Sequence, residues 1–380
     1  MNESLQNLPT YPMVQLSAWS QQILDGGLEL FDFGTGDPRE PTPSILRQAM
    51  IDGIDEVSQY PPTPGTKELR DAVCGYMQRR FGLSLDADEE VVATFGSKEA
   101  LFPLPMTFVH AGSARDVVVY GEPAYPVYRI GTLFANATPH AVILGPDNAY
   151  QLDPDALPEG LLSRTVMVIL NYPHNPSGYK LRDDLYERWV ELQREHGFVL
   201  VSDECYADLN YKGEMPKSLL EFSRAGCLAV HSLSKRSGMT GYRSGFVAGD
   251  PALIATYRRF RASMGTAPQS FVQAAAQLAW TEDQHVRDRL QVFADKRDVL
   301  VEMAHARGLR VHGSEAGLYL WLEIPATAKD DVAYATRCRE QGILVAPGSF
   351  FGAGQERFVR LALVPTLAQC KLAAARWPQP

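Results

Sequence analysis

The sequence has few cysteines, no long apolar run and no surplus of positive charge. Its five cysteines are widely scattered, with no Cys-x-x-Cys and no short Cys/His spacing, so they indicate neither a disulfide framework nor a metal cluster. No apolar run approaches the roughly 18 residues that a membrane span needs. The first residues lack the basic and apolar regions of a signal peptide. These absences predict a cytoplasmic protein with no membrane partner and no metal.

The charge balance is acidic. The 36 Lys and Arg residues stand against 45 Asp and Glu, a net charge of −9, which disfavours a nucleic-acid partner. With 380 residues, 45% of them hydrophobic and 21% charged, the chain has the composition of a globular protein of roughly two or three domains.

Short apolar runs alternate with amphipathic stretches, which is typical of an α/β protein whose sheet is covered by helices on both faces. The clearest strand candidates are Val117–Tyr120, Val166–Leu170, Phe198–Ser202, Leu228–His231 and Gly245–Ala248. The pattern also predicts a helix at Lys67–Phe81 behind a Thr66 cap, a long helix near Glu282–Arg307, and later strands at Tyr319–Ile324 and Phe358–Leu363. We therefore expect a large domain at 43–280, and a smaller one that joins 1–42 to 281–380.

Ser232–Gly245, which follows a predicted strand, is the most informative segment. It brings Ser232, Ser234, Lys235 and Arg243 together among glycines that allow the backbone to approach a ligand closely. The hydroxyls and the guanidinium can hold a phosphate, with Lys235 beside it. The alternative is a polar loop whose lysine is only solvated.

Two other predicted strands run directly into polar side chains. One ends at Asp203 and Tyr206, and the other leads to the turn that contains Asn175. Such side chains stand where open sheets bind ligands. The alternative for Asp203 is an acid that forms a turn, and that for Tyr206 is a tyrosine that packs in the core. For Asn175 the alternative is a tight turn that Pro176 shapes.

Four motifs identify the chain as similar to the fold-type I pyridoxal-phosphate aminotransferases of class I/II. They are NxPxNPxG at Asn171–Gly178, DExY at Asp203–Tyr206, SxSKxxxMxGxRxG at Ser232–Gly245, and PGxxFGxG with RLxL at Pro347–Leu363. The resemblance implies a mostly parallel central sheet in a large domain, a smaller α/β domain and the cofactor pyridoxal 5'-phosphate. It also implies a ping-pong exchange of an amino group between an amino acid and an oxo-acid.

The resemblance also assigns roles around the cofactor ring. Lys235 matches the lysine that binds the cofactor covalently and moves the proton, and Asp203 matches the carboxylate that keeps the pyridine nitrogen protonated. Asn175 and Tyr206 match the groups that hydrogen-bond the ring oxygen. Tyr125 matches the aromatic residue that stacks on the ring, although an ordinary core tyrosine is the alternative.

Further roles concern the phosphate and the substrate. Ser97 and Lys98, which open a helical pattern, match phosphate-binding positions and join Ser232, Ser234 and Arg243. Arg360 and Gly36 match the groups that hold the substrate α-carboxylate. Tyr60 matches a tyrosine that reaches the phosphate of the neighbouring subunit, which implies a homodimer.

Three segments, Tyr60–Thr66, Gly96–Glu99 and Pro123–Tyr128, look most like those of the succinyldiaminopimelate aminotransferases, whose usual amino donor is glutamate. Candidates for binding the distal acidic tail are Arg39, Lys98, Arg129 and Arg261, with ordinary surface cations as the alternative for each. His174 is expected to face solvent, with a supporting position behind the asparagine turn as the alternative.

Three rival functions remain. They are a general aspartate or aromatic aminotransferase, a pyridoxal-phosphate-dependent carbon–sulfur β-lyase, and a non-catalytic regulator. The regulator is disfavoured because the motifs begin by Gly36, which leaves little room for a DNA-binding extension.

Overall fold

The computed structural model of the chain describes residues 12–110 and 112–379. The signal-peptide prediction concerns mainly residues 1–11, which lie outside the described residues. The strands are β1 (Phe31–Asp32), β2 (Val91–Thr94), β3 (Val117–Glu122), β4 (Thr138–Ile143), β5 (Thr165–Asn171), β6 (Val199–Asp203), β7 (Cys227–Ser232), β8 (Gly245–Gly249), β9 (Arg310–His312), β10 (Tyr319–Glu323), β11 (Ile343–Leu344), β12 (Ala346–Pro347) and β13 (Phe358–Ala362). Each predicted strand is present within a residue or two of its expected bounds.

The helices connect these strands. They are α1 (Pro12–Asp25), α2 (Ser44–Asp52), α3 (Lys67–Phe81), α4 (Gly96–Leu101), α5 (Leu104–Phe108), α6 (Val127–Phe134), α7 (Leu161–Arg164), α8 (Asp183–His196), α9 (Leu233–Arg236), α10 (Pro251–Met264), α11 (Ser270–Thr281), α12 (Gln284–Ala306), α13 (Asp331–Arg339) and α14 (Leu367–Arg376). Short 3₁₀ turns lie at Pro146–Asn148, Pro154–Ala156, Leu219–Glu221 and Gly348–Phe351. No helix within the described ranges is long and apolar enough to cross a membrane.

Helix α3 shows how local sequence sets an element. The Thr66 hydroxyl accepts a hydrogen bond from the Leu69 amide at 3.3 Å, and the helix ends at Gly82, whose φ is +71°. A hydroxyl cap at the start and a left-handed glycine at the end are the boundary signals that the sequence carries. The prediction of this helix is therefore confirmed with its cap.

The central sheet has the strand order β2-β8-β7-β6-β5-β3-β4. Strand β8 is antiparallel to both of its neighbours, and the other pairs are parallel. Alternate residues enter opposite cores: Leu200 packs in one apolar cluster, whereas Val199 and Val201 pack in the other. Burial on both faces is why these strands read as nearly continuous apolar runs.

Two smaller sheets lie outside the central one. Strands β12-β13-β10-β9 form an antiparallel sheet, and β1 pairs with β11 in parallel. The long helix α12 lies in the chain between the central sheet and the antiparallel sheet. This arrangement confirms the predicted α/β architecture with a mostly parallel sheet. The division at residues 42 and 280 stays a prediction.

The parallel strands end together at one edge of the central sheet. Asn171, the last residue of β5, is in register with Asp203, the last residue of β6. Strand β7 ends beside them at Ser232. Parallel strands bring their carboxyl ends to a common edge, where open α/β sheets bind ligands.

Arg236 holds the short helix α9 in place near this edge of the sheet. Its side chain is 4% exposed and forms ion pairs with Asp208 at 2.7 Å and with Asp283. The guanidinium also lies 5.0 Å from the centre of the Tyr76 ring and 5.1 Å from that of Trp280. One buried cation therefore joins α9, the loop after β6 and the residue that precedes α12.

Replacing Arg236 by methionine is expected to lower the free energy of unfolding by about 3 kcal/mol, because two carboxylates lose a buried partner. Urea denaturation checks this value. The matched control is Arg188→Met, which removes an arginine that is 46% exposed and whose ion pairs lie at the surface. The control is expected to change stability by about 0.5 kcal/mol or less. Equal stability of the two variants would refute the anchoring role.

Candidate active site

A cavity of about 550 Å³ opens at the carboxyl edge of the central sheet. All of the predicted cofactor-binding, catalytic and α-carboxylate-binding residues line it, except Tyr60. They are Gly36, Ser97, Lys98, Tyr125, Asn175, Asp203, Tyr206, Ser232, Ser234, Lys235, Arg243 and Arg360. Tyr60 is fully exposed and lies away from this lining. The structure thus brings together side chains that are far apart in the chain.

Lys235 stands on the four-residue helix α9, whose start the Ser232 hydroxyl caps by accepting the Ser234 amide at 3.1 Å. Its amine donates a hydrogen bond to the Gly36 carbonyl oxygen. Burial lowers the pKa of the Lys235 ammonium below its ordinary value, although the nearby Tyr319 and Asp37 oppose the shift. A lysine of lowered pKa provides a neutral amine that can act as nucleophile and base.

Asp203 places a carboxylate at the floor of the cavity. One of its oxygens accepts the Tyr128 hydroxyl at 2.7 Å, and the other accepts the Cys205 amide at 3.3 Å. Burial raises the pKa of this carboxyl group, while those hydrogen bonds oppose the rise. A buried carboxylate becomes favourable when a cation pairs with it, so Asp203 is suited to a cationic ligand group.

The turn after β2 forms a cradle in the cavity lining. Gly96 has a φ of +73°, and a Cβ there would lie 2.9 Å from the Arg243 guanidinium. Arg243 itself donates to the Phe95 carbonyl at 3.2 Å and to the Thr240 carbonyl at 2.8 Å. The glycine thus lets the backbone approach the guanidinium, beside the hydroxyls of Ser97, Ser232 and Ser234 that line the same cavity.

Arg360 extends from β13 and is 5% exposed. Its guanidinium donates to the Gly34 carbonyl at 3.0 Å and to the Asn175 amide oxygen at 3.4 Å. The rings of Tyr319 and Phe351 lie 4.1 and 4.3 Å from it. These contacts hold the planar fork in one orientation, which suits bidentate binding of a carboxylate.

Two cavity residues, Asn171 and Tyr319, and one residue behind the lining, Tyr128, play parts that the sequence reasoning missed. Tyr128 holds Asp203, and the Asn171 side chain bridges the Asp203 carbonyl and the Asn175 amide at 3.0 and 3.1 Å. The Tyr319 hydroxyl lies 3.3 Å from the Tyr206 hydroxyl. Burial alone would raise the Tyr319 pKa, but the charges of Arg360 and Lys235 lower it. Asn171 stands in a quoted motif and could have been found, whereas Tyr128 and Tyr319 carry no local signal.

Two expectations about polar residues were wrong. His174 does not face solvent but is 4% exposed, held between the Ser177 hydroxyl at 2.7 Å and the Pro123 carbonyl at 3.0 Å. Arg261 is neither a surface cation nor a tail-binding group, because it is completely buried in an ion pair with Glu99. In both cases a distant partner removes the side chain from water.

Burial lowers the pKa of His174 from 6.5 to about 4. Between these values the unfolded chain binds a proton that the folded chain does not, so stability falls as the pH falls through this window. The expected loss is about 3 kcal/mol. Urea denaturation at several pH values should show a smaller loss in His174→Gln and an unchanged loss in the control His110→Gln, which alters an exposed histidine. Parallel pH profiles for wild type and His174→Gln would contradict this account.

The cavity contains the chemical groups that pyridoxal phosphate requires. Arg243 and the serine hydroxyls suit the phosphate, the buried Asp203 suits a protonated ring nitrogen, and the amine of Lys235 suits the aldehyde. When bound, the cofactor supplies that aldehyde and a ring that withdraws electrons from the substrate carbon. Fold and site therefore define an enzyme that uses pyridoxal phosphate.

Comparison with known proteins makes the assignment specific. Residues 29–376 match the family model of aminotransferase class I and II, and the chain belongs to this family. It is 33% identical over 365 residues to LL-diaminopimelate aminotransferase 2 of Trichormus variabilis, with 94% of this chain and 93% of that protein covered.

Solved structures agree with this assignment. An aminotransferase from Neisseria meningitidis is 33% identical with a TM-score of 0.89, and the match covers 98% of each chain. A probable N-succinyldiaminopimelate aminotransferase from Thermus thermophilus is 27% identical with a TM-score of 0.88, over 96% of this chain and 98% of that one. The predicted fold class, enzyme class and cofactor are confirmed.

Proposed function

We propose that this transaminase transfers an amino group between glutamate and the oxo-acid that corresponds to an amino acid of the diaminopimelate type, with the N-succinylated form as the principal substrate. The motif resemblance supports the succinylated form, and so does the similarity to the probable N-succinyldiaminopimelate aminotransferase. The unmodified LL-diaminopimelate is the second candidate, because it is the substrate in the name of the 33% identical relative.

The observation that carries the proposal is that Lys98 lines the same cavity as Arg360. N-Succinyldiaminopimelate has further carboxylates beyond the α-carboxylate that Arg360 is placed to hold, and we assign the distal acidic end to the Lys98 side of the lining. The other tail candidates that the sequence suggested lie outside the lining: Arg39 pairs with Asp32 at 3.3 Å, Arg261 is buried, and Arg129 is exposed elsewhere.

The chain's own groups divide the work. Arg360 and Gly36 bind and orient the α-carboxylate. Asn175 and Tyr206 reach the same cavity from the loops that follow β5 and β6 of the central sheet. Lys235 holds and moves a proton at its Nζ atom, for which its lowered pKa is suited. Asp203 retains negative charge at the cavity floor and stabilises a cation there.

A half-reaction screen of the purified holoenzyme tests the substrate. Loss of the visible absorbance of the lysine-bound cofactor is followed after addition of each amino acid. Glutamate and N-succinyl-LL-diaminopimelate are both expected to react, and Lys98→Ala should raise KM for the latter much more than for glutamate. The exposed Lys212→Ala serves as the matched control.

The rival functions give distinct results in the same screen. Reaction with LL-diaminopimelate but not with its succinylated form would select the second candidate. Strong aspartate or aromatic turnover without either would indicate a general aminotransferase. Pyruvate and ammonia from a cysteine-type substrate would indicate a carbon–sulfur lyase.

The surface around Tyr60 supports a homodimer in which this tyrosine serves the partner's site. Tyr60 is fully exposed, and Ile51, Ile54 and Val57, which precede it, are 58%, 63% and 69% exposed. Apolar side chains exposed along one segment are typical of an interface. Mixed dimers of Tyr60→Ala and Lys235→Ala should recover activity, because one of their two sites contains both residues. A monomer by sedimentation would refute the proposal.

A further inference from the structure

The ion pair between Arg261 and Glu99 is buried beneath the phosphate cradle. The Arg261 side chain is 0% exposed and that of Glu99 is 16% exposed. The guanidinium binds both carboxylate oxygens, with Nη2 at 3.0 Å and Nε at 3.2 Å. This is a two-point pairing of planar groups, the geometry in which a buried arginine is most specific.

The pair holds the backbone of the turn that leads into Ser97. Glu99 accepts the Phe95 amide at 2.9 Å, while Arg261 donates to the Ala93 carbonyl at the end of β2. From the cavity side Arg243 donates to the Phe95 carbonyl at 3.2 Å. The peptide groups on either side of Phe95 are thus fixed from both directions, directly before the left-handed Gly96.

Helix α10 supplies the support for this arrangement. Arg261 stands near its carboxyl end, and Tyr257, one turn earlier, donates its hydroxyl to the Ala100 carbonyl at 3.4 Å. Arg261 also reaches the Thr63 carbonyl at 3.4 Å, in the same loop as Tyr60. One residue therefore contacts β2, α4 and the 60–65 loop.

We propose that Arg261 and Glu99 are positioning residues for the cofactor phosphate. They act through the turn at Phe95 and Gly96, and they set the orientation of the Ser97 hydroxyl and the start of α4. Neither residue lines the cavity. Helix α4 has only six residues and cannot hold its own start by helical hydrogen bonding, so its placement depends on these side chains.

The test compares Glu99→Gln and Arg261→Met with a matched control, Glu90→Gln. Glu90 is also buried and pairs with Arg224 at 3.0 Å, but it precedes the amino end of β2, whereas the cradle lies at the carboxyl end. Equilibrium dialysis measures the dissociation constant of pyridoxal phosphate for each variant. Thermal unfolding records stability separately.

Glu99→Gln and Arg261→Met are expected to raise the cofactor dissociation constant about 10- to 100-fold, the loss typical when a supporting partner of a bound group is removed. Arg261→Lys should give an intermediate value, since it keeps the charge but not the two-point geometry. KM for glutamate should stay within about 3-fold, because Arg360 lies on another sheet. The control should bind the cofactor as the wild type does.

A second readout uses the protein without cofactor. Hydrogen exchange in residues 93–101 and 60–66 should accelerate in both variants and remain unchanged in Glu90→Gln. Wild-type cofactor affinity in folded Glu99→Gln and Arg261→Lys would overturn the proposal. An equal loss of affinity in the control would do the same, because it would show a general effect of stability. Both outcomes leave the proposed substrate untouched, since that depends on the half-reaction screen.

Discussion

Lys235→Ala is expected to abolish amino transfer, with a fall in kcat of at least about 10⁴-fold. Proton transfer by a positioned base alone contributes up to about 10⁴-fold, and the same side chain is also the nucleophile. Burial lowers the pKa of this amine, which also donates to the Gly36 carbonyl, and both features are expected of a lysine with this role. Steady-state turnover with glutamate and an oxo-acid measures the loss.

The lysine prediction has a control and an independent readout. Lys212→Ala, which changes an exposed lysine, should keep wild-type turnover. Borohydride reduction of the wild type followed by peptide mass spectrometry should place the cofactor on the peptide that contains Lys235. Turnover above about 1% of wild type in a folded Lys235→Ala would be incompatible with the assigned role, given the expected loss.

Arg360→Ala should lower kcat/KM for amino acids by roughly 10³-fold, because truncating one partner of a buried, hydrogen-bonded charge pair costs several kcal/mol. Arg360→Lys should recover little of this loss. A lysine amine cannot reproduce the fork that Gly34, Asn175 and the rings of Tyr319 and Phe351 orient. Single-turnover rates over a range of amino acid concentrations provide the measurement.

The specificity of the arginine effect can be checked with the substrate rather than with a second variant. A primary amine that has no α-carboxylate should react equally slowly with the wild type and with Arg360→Ala. If the variant lost reactivity toward this amine as well, the arginine would be supporting the cavity rather than binding the carboxylate.

The sequence was sufficient for the core of the fold because burial on both faces leaves continuous apolar runs. The sequence predicts β5, β6 and β7 for this reason, and it predicts α3 from its cap. The sequence does not predict β4, which lies at the edge of the sheet. Its residues are half-buried or exposed, and they include a proline and a histidine. Local composition there gives no strand signal that differs from that of a loop.

The sequence predicts the site residues where the signal lies among neighbours in the chain, and it misses those whose partners are distant in the chain. Lys235, Asp203 and Asn175 stand in compact motifs at strand ends, so their types and spacing were informative. The contact of Tyr128 with Asp203 spans 75 residues, and that of Arg261 with Glu99 spans 162. An arginine in a basic stretch reads as a surface charge until its distant carboxylate is known, which is why Arg261 was misjudged.

The reversed direction of β8 has a consequence for how this chain can vary. Because β8 runs against β7, the stretch 233–244 leaves the sheet and rejoins it at the same edge, with Ser232 opposite Gly245. Lys235 thus stands on a loop whose two ends are held by the adjacent strands β7 and β8. An insertion or deletion of one residue within this loop would displace Lys235, or Arg243 near its second end, relative to the fixed strands. The length of this loop is therefore as constrained as the side chains that it holds.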